Sequence, residues 1–226
     1  MRHRPAGLPG KAASDPVLTR QERLQAARLY VITADDTPER VMRIASAALR
    51  GGADVLQLRH KTLARGELLE LAHRLRELAR DAIFVVNDHV DIALLCSADG
   101  VHLGMDDLSV SASRRVAGDR LVIGASASTP SAALAAIADG AGYIGAGPAF
   151  ATPIKSKKVA IGPGGVAAVA AAAGPDVPVF AIGGIEEGNL AQLVAEGVRR
   201  VCVIRAISAA ADPEQAARRL RAMLES

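Results

Sequence analysis

Short apolar runs alternate with longer segments rich in Ala, Leu and Arg from residue 28 onward. Most of the runs are apolar throughout, which is typical of parallel strands that are covered on both faces. A regular alternation of such runs with helical segments predicts repeated βα units. The eight strand candidates are Leu29 to Thr33, Val55 to Arg59, Ile83 to Asn87, Gly100 to Leu103, Leu121 to Ala125, Tyr143 to Gly145, Val179 to Ile182 and Arg200 to Ile204.

The segments between the runs have the periodicity of helices. Val41, Ile44 and Ala48 fall on one helical face, and Thr37 followed by Pro38 is a typical helix start. Eight βα units in about 200 residues match the lower size limit of a closed (β/α)8 barrel. The sequence therefore predicts a single α/β domain of this fold, with a doubly wound open sheet as the alternative.

The N-terminal segment differs from the rest of the chain. Residues 1–25 are predicted to be a short flexible tail, because Pro5, Pro9 and Gly10 break any regular element, and residues 26–226 are predicted to form the barrel. This tail carries the whole net charge of +3. A neutral body with only two Tyr, three Phe and no Trp offers neither a broad basic face nor a stacking platform, so no nucleic-acid partner is expected.

Membrane association and secretion are not expected either. The most apolar later stretch, Val166 to Ile185, contains Gly174, Pro175 and Asp176, so it could not span a bilayer as a helix. The N-terminus lacks the apolar run of a signal peptide. Two cysteines give no disulfide framework, and a cytoplasmic location is expected.

Polar residues follow the proposed strands at their C-terminal ends. Active sites of (β/α)8 barrels lie at this face, so we expect these groups to converge on one rim. They are Gln57 to Lys61, Asn87 and Asp88, His102 to Asp107, Ser126, Gly145 to Lys155, Gly183 and Gly184, and Arg205.

The charged members of this set suit phosphate and a divalent cation. Arg59, Lys61 and Lys155 can bind phosphate oxygens. Asp88 and Asp107 are the hard oxygen ligands with which proteins hold Mg²⁺ while phosphate and water complete the shell. The glycines of the rim leave backbone N–H groups accessible to an anion. The combination predicts a diphosphate and magnesium site beside a second phosphate site.

Each group also has a simpler interpretation. Any one of the cations could be a solvated surface charge. Asp88 could cap the following helix, and Gly183 with Gly184 could merely form a tight turn. The sequence has no nucleophile elbow with triad partners, and Pro148 stands where a dinucleotide fingerprint would begin its helix. The histidines lack zinc-site spacing, and His102 is interpreted as a packing or hydrogen-bonding residue.

Five motifs, taken in order, resemble those of the thiamine-phosphate synthases over about residues 28 to 224. They are Gln57-Leu58-Arg59-His60-Lys61, Val86-Asn87-Asp88, Gly100-Val101-His102-Leu103-Gly104 with Asp107, Gly147-Pro148-Ala149-Phe150-Ala151-Thr152-Pro153-Ile154-Lys155, and Ala181-Ile182-Gly183-Gly184-Ile185. The resemblance implies that hydroxymethylpyrimidine diphosphate loses diphosphate while the nitrogen of hydroxyethylthiazole phosphate takes its place, giving thiamine phosphate. It also implies Mg²⁺ as cofactor and assembly into a homo-oligomer.

The same resemblance implies roles for individual residues. The groups expected to act on the departing diphosphate are Arg59, Lys61, Lys155 and Ser126. The magnesium ligands would be Asp88 and Asp107. The substrate-binding residues would be Gln57, Leu58, Arg59, His60, Lys61, Asn87, Ser126, Thr152, Pro153, Ile154, Lys155, Gly184, Ile204 and Arg205.

This sequence departs from the family's pattern at five positions. Met105 stands where Gln is usual, Ala151 where Pro is usual, Ile154 where Thr is usual, Ser128 where many relatives have His, and Arg205 where Ser is common. We hypothesise that Arg205 supplies charge to the thiazole phosphate where Ile154 lacks a hydroxyl donor.

These departures leave two alternatives open. A thiazole tautomerase on the same barrel would work without metal, but the resemblance implies that its chemistry needs a His at the position of Ser128. A non-catalytic phosphate-binding barrel is the second alternative, motivated by the changes at Met105, Ile154 and Ser128.

Overall fold

A computed structural model describes residues 18–152 and 159–225. Within these residues, eight parallel strands close into a barrel in chain order, and Leu29 of the first strand pairs with Val201 of the last. This closure confirms the (β/α)8 barrel, and the open-sheet alternative is wrong. The strands are β1 (Leu29–Ile32), β2 (Val55–Leu58), β3 (Ile83–Asn87), β4 (Gly100–Leu103), β5 (Val122–Ala127), β6 (Tyr143–Ala146), β7 (Val179–Ile182) and β8 (Val201–Val203).

Helices follow the strands around the outside. The predicted start at Thr37 is confirmed, because its hydroxyl accepts a hydrogen bond from the Arg40 N–H and Pro38 occupies the first turn. The α-helices of the described residues are α1 (Arg20–Ala26), α2 (Pro38–Arg50), α3 (Arg65–Leu78), α4 (Val90–Leu95), α5 (Val110–Ala117), α6 (Pro130–Ala138), α7 (Gly162–Ala173), α8 (Glu187–Ala195), α9 (Arg205–Ser208) and α10 (Pro213–Glu225).

The buried residues form two layers, because successive side chains along each strand point to opposite faces of the barrel wall. On β2, Leu56 and Leu58 pack outward in the large cluster between strands and helices. Val55 faces inward and belongs to a smaller cluster that fills the barrel together with Tyr143 and Phe180. The interior is therefore packed below the strand ends, as expected for a barrel of this size, and a cavity can open only at its rim.

The helix α1 closes the opposite end of the barrel. Thr19 and Glu22 form a capping box at its start, and Leu24 is buried against the inner cluster. The side-chain amide of Gln21 donates a hydrogen bond of 3.0 Å to the Gly142 carbonyl before β6. The predicted flexible tail is therefore wrong for residues 18–25, because the capping box and the buried leucine fix this segment. Residues 1–17 lie outside the described residues.

Every helix in residues 18–152 and 159–225 falls short of the length and apolar character that a membrane crossing requires.

Candidate active site

A cavity of about 540 Å³ opens at the C-terminal ends of the strands. All eight strands contribute to its lining, which is the placement expected for an active site in this fold. The structure brings most of the predicted site residues together there. They are Gln57, Arg59, Lys61, Asn87, Asp88, Asp107, Ser126, Thr152, Gly184, Ile204 and Arg205.

Two predicted binding residues lie elsewhere. Leu58 is buried between the barrel and its helices, and His60 is held away from the cavity by a hydrogen bond of 2.8 Å between its Nε2 and the Asp36 carbonyl. Successive side chains along β2 and its extension point to opposite sides, so Gln57 and Arg59 reach the cavity whereas their neighbours do not. The prediction that Leu58 and His60 lie in the cavity is therefore wrong. Pro153, Ile154 and Lys155 lie outside the described residues.

Asp35, in the loop after β1, holds Arg59 and the backbone of Lys61 in place. Its carboxylate accepts a hydrogen bond of 3.1 Å from the Arg59 guanidinium and another of 2.6 Å from the Lys61 backbone N–H. The hydroxyl of Thr33 accepts a hydrogen bond of 2.9 Å from the Arg59 backbone N–H. Sequence reasoning missed Asp35, although it lies in the loop that follows β1, and such loops supplied the predicted rim residues.

Asp88 faces the cavity in a left-handed backbone conformation. Its φ of 64° is uncommon for a residue with a side chain. The backbone N–H of Asp88 donates a hydrogen bond of 2.8 Å to the His102 carbonyl, and its carboxylate binds the Lys61 ammonium. The N-cap of α4 is His89, which makes no side-chain cap bond. The alternative interpretation, in which Asp88 caps the following helix, is therefore wrong.

Asp107 is the second acidic group of this cluster. Its carboxylate accepts a hydrogen bond of 2.8 Å from the Gly104 backbone N–H. Partial burial of its carboxyl group raises the pKa of Asp107, although the residue as a whole is exposed, and a hydrogen bond with Asp88 raises it further. Two acidic groups held this close are the arrangement that a hard divalent cation favours. Among the described residues there is no group of three or more His, Cys, Asp or Glu side chains able to hold a metal, so other oxygen ligands would have to complete a magnesium shell.

The opposite side of the cavity is built from backbone. Gly183 and Gly184 have φ values of 99° and 64°, and a Cβ at Gly184 would lie 2.5 Å from the Ala151 carbonyl oxygen. The tight turn considered from the sequence is thus present, and it lines the cavity together with Thr152. Arg205, at the start of α9, lies at the same edge and forms no ion pair with any described carboxylate.

His102 belongs to the floor of the cavity. It is 8% exposed, and its Nδ1 and Nε2 lie 3.2 Å and 3.0 Å from the hydroxyl oxygens of Tyr143 and Ser126. The interpretation of His102 as a packing and hydrogen-bonding residue is confirmed.

The fold and the site together define a (β/α)8 barrel whose rim carries cations, carboxylates and a glycine turn. Comparison with known proteins then narrows the class. The chain belongs to the thiamine monophosphate synthase family, whose model matches residues 29–207.

Individual relatives agree with this assignment. Over 193 residues the chain is 45% identical to a thiamine-phosphate synthase of Gloeobacter violaceus, an alignment that covers 84% of this chain and 55% of that protein. It is 43% identical over 201 residues to the thiamine-phosphate synthase of Chlorobium luteolum, covering 88% of this chain and 93% of that one. The chain thus spans little more than half of the first relative and nearly all of the second.

A solved structure is also similar. The thiamine phosphate pyrophosphorylase from Pyrococcus furiosus superimposes with a TM-score of 0.81 at 36% sequence identity, covering 90% of this chain and 98% of that one. The similarity therefore extends over the whole barrel and not over the shared rim motifs alone.

Proposed function

We propose that the protein joins hydroxymethylpyrimidine diphosphate to hydroxyethylthiazole phosphate, giving thiamine phosphate and diphosphate. Family membership supports the activity. The observation that carries the proposal is the convergence of Arg59, Lys61, Asp88 and Asp107 at one edge of a single cavity. This edge is suited to a leaving group that carries several negative charges.

The reaction asks the protein mainly to bind and orient. The bond between the pyrimidine methylene carbon and the diphosphate oxygen breaks, its electron pair leaves with the diphosphate, and the thiazole nitrogen lone pair forms the new C–N bond. No proton leaves that nitrogen, so no general base is required. Arg59 and Lys61 would bind the diphosphate oxygens as their negative charge grows, and Asp35 would hold the Arg59 guanidinium for that contact.

Asp88 and Asp107 fit a bound Mg²⁺. Partial burial raises the pKa of Asp107 and the hydrogen bond with Asp88 raises it further, and a divalent cation held by the two carboxylates would remove that unfavourable contact. Two carboxylates plus diphosphate and water oxygens are a typical magnesium shell. When bound, the cation would supply a positive charge that stabilises the departing diphosphate. Lys61 would be released from Asp88 to contact the diphosphate.

The second substrate would lie across the cavity. Thr152, Gly184 and Arg205 line that edge, where a phosphate could accept hydrogen bonds from a hydroxyl, a backbone N–H and a guanidinium. This arrangement would aim the thiazole ring at the pyrimidine while both anionic groups stay at the rim. Ile204 would contribute only its backbone and apolar surface.

A tautomerase is the main alternative. Ser128 lines the cavity at the position where that chemistry would need a His, and the two carboxylates would have no purpose in a metal-free isomerisation. The synthase accounts for both observations. The cytoplasmic location and the homo-oligomer stay predictions.

The test is incubation of the protein with both substrates and Mg²⁺, with chromatographic detection of thiamine phosphate. Product is expected, its formation should stop in EDTA, and excess Mg²⁺ should restore it. An isomerised thiazole without thiamine phosphate would show a tautomerase instead. Binding of both substrates without any product would favour a non-catalytic barrel.

A further inference from the structure

Two backbone carbonyls of the glycine turn after β7 are held by groups outside the cavity. The Gly183 carbonyl accepts a hydrogen bond of 3.0 Å from the Phe150 N–H. The Gly184 carbonyl accepts one of 2.8 Å from the side-chain nitrogen of Asn189, in the first turn of α8. Neither Phe150 nor Asn189 lines the cavity, whereas both glycines do. The two carbonyl groups are therefore engaged on the side of the turn that faces away from the cavity.

The geometry of the peptide unit then sets the direction of two N–H groups. In a trans peptide, the C=O of one residue and the N–H of the next point in opposite directions. The Gly183 carbonyl thus directs the Gly184 N–H toward the cavity, and the Gly184 carbonyl does the same for the Ile185 N–H. Neither N–H donates to an acceptor in residues 18–152 or 159–225. Two adjacent donors therefore face the cavity, an arrangement that suits an anion.

Ile185 reaches the cavity only with its backbone. Its side chain is 4% exposed and packs in the large cluster between strands and helices. The residue nevertheless belongs to the cavity lining, so the part that faces the cavity is its main chain. The Ile185 N–H is thus a further donor at the edge lined by Thr152 and Gly184.

Asn189 binds the turn with both ends of its side-chain amide. Its Oδ1 accepts a hydrogen bond of 2.9 Å from the Glu186 N–H, and its Nδ2 donates to the Gly184 carbonyl. Only one orientation of the amide fits, since one end faces a donor and the other faces an acceptor. The neighbouring Leu190 is buried, so the packing of α8 holds Asn189 in place. The side chain thus bridges residues 184–186.

This bridge constrains a backbone that would otherwise rotate easily. Gly183 and Gly184 have positive φ values and no side chains, so other conformations would cost them little. Rotation of the peptide unit after Gly184 would bring its carbonyl oxygen toward the cavity in place of the Ile185 N–H. An oxygen in that position would repel a phosphate, whereas the N–H attracts it. The hydrogen bond from Asn189 opposes the rotation, because the carbonyl would lose its partner.

We propose that Asn189 is a positioning residue for the phosphate of the second substrate. It holds the peptide between Gly184 and Ile185 so that the Ile185 N–H donates to that phosphate. A simpler role for Asn189 is to start α8 by accepting from the Glu186 N–H, and this role alone would affect stability but not phosphate binding. The identity of the phosphate compound rests on the proposed function, whereas the orientation of the peptide does not.

Asn189→Ala separates the two roles by kinetics. The KM for hydroxyethylthiazole phosphate should rise about tenfold, the effect expected when one hydrogen bond to a charged group is lost. The KM for the pyrimidine diphosphate and the kcat should change little. Hydroxyethylthiazole without its phosphate, tested as an inhibitor, should bind the variant and the unaltered protein equally. An equal loss of affinity for the thiazole with and without phosphate would overturn the positioning role.

Two further variants control for stability. A Cβ at Gly188 would meet no atom within 4 Å, so Gly188→Ala should stabilise α8 in the Asn189→Ala background. The double variant should regain the unfolding midpoint and keep the raised KM. Glu22→Ala removes the equivalent bond at the start of α1, where the Glu22 carboxylate accepts from the Thr19 N–H at the opposite end of the barrel. It should lower the midpoint and leave both KM values unchanged. Recovery of the KM in the double variant, or a raised KM in Glu22→Ala, would show a merely structural effect and overturn the proposal.

NMR spectra test the geometry without turnover. Addition of hydroxyethylthiazole phosphate to the unaltered protein should shift the backbone ¹⁵N–¹H signals of Gly184 and Ile185, and the Ile185 signal should shift much less in Asn189→Ala. Unshifted signals in the unaltered protein, or equal shifts of Ile185 in both proteins, would overturn the positioning role whether or not thiamine phosphate forms. The expected shifts in a protein that forms no thiamine phosphate would overturn the proposed function and support the role of Asn189.

Discussion

Lys61 and Asp88 form an ion pair across the ends of neighbouring strands, and the carboxylate of that pair is only 12% exposed. The pair joins the two kinds of group that the proposed reaction needs, a cation for the diphosphate and an oxygen ligand for the metal. In the protein without ligands each neutralises the other. Binding of a diphosphate with Mg²⁺ would replace this pair by two new attractive pairs, one between Lys61 and the diphosphate and one between Asp88 and the metal.

Asp88→Asn should abolish most turnover and leave the fold intact. Asn tolerates the left-handed backbone of this position and lacks the charge that would hold a cation. Thiamine phosphate formation should fall at least about a hundredfold, because metal charge stabilisation is worth several kcal/mol. The free energy of unfolding should be unchanged or higher, since the contact of two acidic groups is relieved. Steady-state assays and urea unfolding measure both quantities.

The matched control for this variant is Asp91→Asn. Asp91 is an exposed carboxylate of α4 that pairs with Arg65, outside the main cavity. Its substitution should leave turnover near that of the unaltered protein. Near-normal turnover in Asp88→Asn would contradict the magnesium assignment.

Stability should depend on pH through Asp107. Its pKa is raised in the folded protein, so the folded state binds this proton more tightly than the unfolded chain does. Stability is therefore lost as the pH rises through the raised pKa. Asp107→Asn should be more stable than the unaltered protein at neutral pH, by a small amount because the side chain is exposed. The difference should shrink as the pH falls toward about 3.9, the ordinary carboxyl value. Thermal unfolding over a pH series checks this, and a difference that grows on acidification would refute it.

Arg205→Gln tests the second phosphate site. A hydrogen bond to a charged phosphate is worth about 1.5 to 3 kcal/mol, so the KM for the thiazole phosphate should rise at least about tenfold. The KM for the pyrimidine diphosphate should change little, because that substrate is expected at the opposite edge. Arg115→Gln, an exposed position on α5, is the control. An unchanged KM for the thiazole phosphate in Arg205→Gln would remove Arg205 from the site.

Leu24→Ala should destabilise the barrel by about 3 kcal/mol, because Leu24 is 1% exposed and fills the end of the barrel opposite the cavity. Leu18→Ala makes the same change at a leucine that is 53% exposed, and it should have almost no effect. Urea unfolding of the two variants compares them directly. Equal stabilities would mean that α1 does not hold the barrel end.

The strands were predictable because each is an apolar run bounded by polar residues, and the eight runs overlap the eight observed strands. The helix α1 was not predicted, because Pro5, Pro9 and Gly10 in the residues before it indicated an N-terminal segment without regular structure. Thr19 and Glu22 have the spacing of a capping box, which is the local signal that was available.

The site was predictable where a polar residue directly follows a strand, since the fold brings all strand ends to one rim. The rule failed for His60, because alternation turns that side chain away from the cavity. It could not reveal the buried hydrogen bond between the Tyr30 and Tyr143 hydroxyls either. Tyr30 and Tyr143 are separated by 113 residues, and their contact depends on the closure of the barrel.

The central claim is that the cations and carboxylates of the rim promote departure of diphosphate. Its most direct measurement is the amount of diphosphate released per thiamine phosphate formed, in the unaltered protein and in Lys61→Gln. The account predicts equal amounts of the two products with Mg²⁺ present, and a fall of both at least about tenfold in the variant. Full diphosphate release by the Lys61 variant, or none by the unaltered protein, would contradict it.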